Sequence, residues 1–109
     1  MDKKDRYQMN IDRVLKVSED CIDAITYTAS CDHGDPCYGS FVRGLYYEVL
    51  CSWKLLLQYY SLWPDYFKGN VLLRSQRLRM SVNDAFDRYE RARQQFESEF
   101  FHDNPELPF

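Results

Sequence analysis

Residues 41–63, FVRGLYYEVLCSWKLLLQYYSLW, limit what this chain can fold into more than any other stretch. The run has the length of a long helix and is apolar nearly all the way round. A helix docked on one neighbour needs a single apolar stripe, so this one asks for cover on more than one side. Its best stripe is Val42, Tyr46, Val49, Trp53, Leu56, Tyr60 and Trp63. A second line, Leu55, Tyr59 and Leu62, lies to one side, with Leu50 and Leu57 on the other. Water is left a narrow seam of Arg43, Tyr47, Cys51, Lys54, Gln58 and Ser61. Pro64 ends the helix, because the residue before a proline is pushed out of helical geometry. Arg43, Glu48 and Lys54 interrupt the run at depths where charge is costly in lipid, which argues against a membrane span.

Two further helices flank this one. Ile11, Val14, Leu15, Ser18, Ile22, Ile25 and Ala29 recur at three- and four-residue steps and predict an amphipathic helix over 10–30, with Asn10 as its N-cap. Residues 31–40, CDHGDPCYGS, form a loop rich in Gly, Pro and Asp, and Ser40 is placed to cap the second helix. Lys68, Gly69 and Asn70 read as a helix-end lysine, a left-handed glycine and an N-cap. Over 71–101, Leu78, Val82, Ala85, Tyr89, Ala92 and Phe96 alternate four- and three-residue steps, the a/d rhythm of coiled-coil packing. Ser81 with Asp84 resembles a capping box, so this third helix either breaks near Met80 and Ser81 or overhangs the other two. The expectation is an all-α protein: a small antiparallel bundle of three main helices (10–30, 41–63, 71–101) with short extra turns. Residues 1–101 make one helical domain and 102–109, with two prolines and no periodicity, a loose tail.

Composition narrows the function classes. A chain of 109 residues builds one domain with a core of its own. A net charge of −3 provides no global field for nucleic acid or anionic lipid. The charged start MDKKDRYQMN lacks the apolar core of a secretory signal, so the expectation is a cytoplasmic protein with reduced cysteines. Aromatic residues reach 17%, with nine Tyr and seven Phe, more than a core of this size calls for. Tyr and Trp anchor protein interfaces because they combine large rigid area with one polar handle.

Three constellations carry candidate chemistry. Leu55, Tyr59 and Leu62, with the exit segment Trp63, Tyr66 and Phe67, form the candidate protein-binding surface; the competing fate for helical aromatics is core packing. Lys68, Arg74, Arg77 and Arg79 beside Tyr66 and Phe67 make a candidate nucleic-acid grip, combining phosphate neutralisation with base stacking. Cys31, His33 and Cys37, with Cys21 or Cys51 as a fourth ligand, offer a metal or redox site. The five residues between Cys31 and Cys37 exceed the tight spacing of structural zinc sites. No phosphate loop, nucleophile elbow or metalloprotease motif appears, and neither His33 nor His102 has a catalytic companion at a suggestive spacing. The sequence therefore points away from catalysis and requires no cofactor. It favours a small protein that binds another protein, an inhibitor, immunity-type or phage antagonist, or adaptor. Its partner would be a basic nucleic-acid-handling protein or a second copy of itself. A nucleic-acid-binding accessory protein and a metal- or redox-responsive module are the alternatives.

Overall fold

The first helix, α1 (Lys3–Cys31), starts seven residues before the predicted Asn10, which is an exposed position inside it. Asp2 is the residue that caps it: its Oδ1 accepts the Asp5 N–H at 2.9 Å, and its carbonyl accepts that of Arg6. The early turns are polar on most sides, and their one half-buried aromatic is Tyr7, edge-on to Tyr59 at 5.7 Å. The computed structural model describes residues 2–31 and 36–103.

A short 3-10 turn (Pro36–Tyr38) leads into α2 (Gly39–Leu62), which begins one residue ahead of the expected cap, Ser40. Tyr38 precedes it and makes no side-chain capping bond. Trp63 closes the helix with its N–H donated to the Tyr59 carbonyl at 2.8 Å, and Pro64–Tyr66 then form a second 3-10 turn. Gly69, at φ 54°, takes the left-handed conformation that the sequence assigned to it and opens α3 (Gly69–Asp103).

α3 runs unbroken through Met80 and Ser81. The reason is the buried seam Leu78, Val82, Ala85 and Tyr89, which passes that point without changing face. A break there would rotate half of the seam away from its neighbours. The capping box at Ser81 and Asp84 is therefore not used. His102 and Asp103 continue the helix instead of starting the predicted tail, and 104–109 lie outside the described residues.

The three helices run up, down and up. Tyr66 at the α2–α3 connection donates its hydroxyl hydrogen to Asp12 Oδ1 at 2.9 Å. Higher up, Arg74 reaches Glu19, and Tyr46 donates to Asn83 Oδ1 at 2.9 Å. The result is a rod of 65 × 21 × 20 Å. At 1.5 Å per residue, α1, α2 and α3 are about 44, 36 and 52 Å long. Among the described residues no helix is long and apolar enough to cross a membrane.

The core follows the predicted stripes with an offset. Ile11, Leu15, Ser18, Cys21, Ile25 and Thr28 are buried on α1, whereas Val14, Ile22 and Ala29 are half-buried. Ser18 and Thr28 satisfy their hydroxyls on the carbonyls of Val14 and Ala24, one turn back. On α2 only every seventh residue of the stripe, Val42, Val49 and Leu56, is fully enclosed. Tyr46 and Trp53 are half-buried, and Tyr60 is exposed. On α3 the core ends at Tyr89, whose hydroxyl lies 3.7 Å from where a Cβ would stand on Gly39. Ala92 and Phe96 continue the a/d rhythm but are only half-buried, since residues 90–103 extend about 21 Å further along the axis.

Candidate functional site

α1 packs extensively against both other helices, while α2 and α3 pack less extensively against each other. Where they are close, Tyr46 bridges them: its ring lies 4.6 Å from Phe86 and its hydroxyl reaches Asn83. Two turns further along α2 the gap opens into an apolar cleft of about 240 Å³. One wall is Trp53, Leu57 and Tyr60, spaced i, i+4 and i+7 on α2; the other is Leu72, Ser75 and Gln76 on α3.

The floor is Leu56 and Phe67. Phe67 is held there by the tight turn before it, with its N–H donated to the Pro64 carbonyl at 3.0 Å, and it meets Tyr60 edge-on at 5.5 Å. The Arg79 guanidinium lies over the Trp53 ring, 5.0 Å from its centroid. Beyond it the surface becomes a shallow depression lined by Gln76, Arg79, Met80, Asn83 and Asp84. Leu57 and Tyr60 remain 49% and 48% exposed at the cleft mouth.

The cleft lining carries no carboxylate, imidazole, thiol or amine. Ser75 already donates its hydroxyl to the Val71 carbonyl at 2.7 Å. What this geometry can do is hold an apolar group and orient it with Gln76 and the Tyr60 and Trp53 polar tips.

The residues predicted to form one binding surface divide between two sides of α2. Leu62, 67% exposed, and half-buried Trp63 line a separate depression at the foot of the rod with Lys3, Lys4 and Tyr7. There the Lys4 ammonium lies 5.3 Å from the Trp63 ring centroid, and Trp63 stacks on Tyr66 at 5.2 Å. Tyr59 is taken up by Tyr7, and Leu55 is exposed. Phe67, 5% exposed, is core on one side and cleft floor on the other. The cleft residues missing from the expected set are Trp53, Leu56, Leu57, Tyr60, Leu72, Ser75 and Gln76. Trp53, Leu56 and Tyr60 belong to the predicted main stripe of the second helix, and Leu57 to the line beside it. Leu72 and Gln76 gave no signal, because only the approach of α3 brings them opposite.

The basic cluster also divides. Arg74 is committed to Glu19, donating from Nε at 2.9 Å and Nη2 at 2.6 Å to the two carboxylate oxygens. Arg77 lines the same α1 side with Glu19 and Asp23, while Arg79 turns to the α2 side over Trp53; Lys68 is exposed beside Phe67. The bond from Arg74, against the opposing effect of burial, holds the Glu19 carboxyl below its usual range. Burial, with the bond to Asp12, pushes the Tyr66 phenol up.

Of the predicted metal set, His33 and the Cys31 side chain lie outside what is described. Cys37 and Cys51 are exposed and Cys21 is buried; burial, with Glu48 nearby, pushes the Cys21 thiol up. Among the described residues no three His, Cys, Asp or Glu side chains group to hold a metal. Compared with known proteins, the chain matches no protein-family model, no curated protein and no solved structure.

Proposed function

We propose that this protein is non-catalytic and works by binding another protein, as an inhibitor, immunity-type protein, phage-type antagonist or adaptor, through the cleft between α2 and α3. The observation that carries this reading is the composition of the cleft: Trp53, Tyr60 and Arg79 with Leu57, gathered at one open seam. Trp, Tyr and Arg are the residues that most often dominate binding energy when a partner buries them. Leu57 and Tyr60 still have half of their surface to bury, and each Å² of apolar area covered contributes about 25 cal/mol. The proposed compartment is the cytoplasm, where an exposed thiol such as Cys51 stays reduced.

Site-specific photo-crosslinking tests the reading. A benzophenone amino acid is placed at Leu57 and, as a control, at Tyr27, exposed on α1. In the native host, a discrete crosslinked protein is expected from the Leu57 position and none from Tyr27. Identical products from both positions, or none from Leu57, would refute it.

A further inference from the structure

We infer that the cleft between α2 and α3 receives an amphipathic α-helix whose flanks are acidic; this rests on the protein-binding reading and adds the chemistry of the partner. Two observations support it: the spacing of the walls and the local sign of charge.

The walls are two rows of side chains one helical turn apart, Trp53, Leu57 and Tyr60 against Leu72 and Gln76. A third helix laid along them meets ridges at its own repeat, as in any bundle. An extended peptide would bring an N–H and a C=O at every residue to a surface that offers few side-chain partners, the tips of Trp53 and Tyr60 and the Gln76 amide. Ser75 is already occupied, and Gln76 is the one side-chain amide in the lining. A helix bonds its own backbone and needs only an apolar stripe of about two to three turns to fill the length of the cleft.

Charge selects what flanks that stripe. The net charge of −3 suggests a basic partner, but the carboxylates of α1, among them Asp12, Glu19, Asp20 and Asp23, lie on a helix that does not line the cleft. Around the cleft itself the sign reverses. Arg79 sits over Trp53 at one wall, and Lys54 stands on the exposed flank of α2, three residues before Leu57. Lys68 follows the floor residue Phe67. Among the described residues none of these three cations has a carboxylate partner. Asp84, at the far shallow end, is the one carboxylate in the lining of the cleft and its extension. Glutamates beside an inserted apolar stripe would meet Lys54 and Arg79, whereas lysines there would be repelled.

The α1 helix of a second copy is a poor occupant. The exposed apolar residues of α1, Met9, Val17 and Tyr27, are spaced too widely to form a stripe.

The test uses a displayed library of helices of about five turns, each with leucine fixed at i, i+4, i+7 and i+11 and with the flanking positions randomised. It is selected against the full chain, against Lys54→Glu/Arg79→Glu and against Leu57→Asp, each checked by circular dichroism for unchanged helix content. The full chain is expected to enrich Glu and Asp at the flanks, with roughly tenfold tighter binding than Lys-flanked versions and a preference that weakens with salt. The charge-reversed variant is expected to enrich Lys and Arg. Enrichment without a charge preference, or with the same preference in the charge-reversed variant, overturns the acidic partner and leaves the docking cleft standing. No enrichment over Leu57→Asp overturns both. A stable dimer by light scattering that Leu57→Asp dissociates would show that a second copy fills the cleft instead, and would overturn the inference.

Discussion

Leu56 and Leu57 are neighbours in sequence and chemically identical, yet one is floor and the other rim: Leu56 is 2% exposed and Leu57 49%. Replacing each with alanine measures whether the cleft is open in solution. Leucine to alanine removes three carbons, about 2.4 kcal/mol of transfer free energy when the side chain is fully buried. Leu56→Ala adds a term for the void it leaves. That void opens into the cleft instead of being sealed, so the total should be about 3 kcal/mol, near the low end of what buried leucines lose. Leu57→Ala forfeits about half the transfer term and creates no void, and alanine's better helix propensity returns a few tenths, leaving about 1 kcal/mol. At about 4 °C per kcal/mol for a domain of this size, the melting temperatures should fall by about 12 °C and about 4 °C. Urea unfolding followed by circular dichroism at 222 nm gives the free energies directly, with equal slopes expected for both variants. Equal losses for the two substitutions would mean that α2 and α3 close over Leu57 in solution. The cleft, and every functional inference drawn from it, would then fail.

Two further outcomes follow from the structure. Glu19 has its carboxyl held below the usual range in the native state by Arg74, so the bridge stabilises fully above the unfolded value and is lost as pH falls from about 4.3 through the lowered native value. Both side chains are 36% exposed, which limits the contribution to less than about 1 kcal/mol. Glu19→Gln should therefore shift the urea midpoint at pH 7 by an amount that shrinks as pH falls below about 4.3, and a difference that stays constant on acidification would exclude the bridge as its cause. Gly69→Ala should cost about 1–2 kcal/mol, because a Cβ at φ 54° meets no neighbour and the whole penalty is backbone strain. A neutral result in the same assay would show that residue 69 does not hold a left-handed conformation.

The predicted protein-binding residues show where sequence reasoning stopped. Periodicity correctly marked residues 41–63 as carrying more apolar surface than one seam needs, but it could not say which flank would stay open. Leu55 and Leu62 lie on one flank of the central stripe and Leu50 and Leu57 on the other, and along an isolated helix the two lines look equivalent. The choice depends on how closely α3 approaches α2. The Tyr46 contacts with Phe86 and Asn83 set that approach at one level and leave the seam open below it. The basic residues teach the same lesson: Arg74, Arg77 and Arg79 are close in sequence, but helical rotation sends two toward α1 and one toward Trp53.

What the amino-acid order determined by itself is the set of local properties that repeat with a helical period. These are three helices, the connections at Pro36, Pro64 and Gly69, the buried line Leu78, Val82, Ala85 and Tyr89, and the excess of aromatic residues. Each depends on residues within a turn or two of one another, so a linear reading captures it. Tertiary structure alone decided the long reach of α1 back to Lys3, the unbroken course of α3 and the position of the open cleft. Those depend on distances between residues far apart in the chain, Tyr7 and Tyr59, Glu19 and Arg74, Tyr46 and Phe86, and such distances are fixed only when the helices pack.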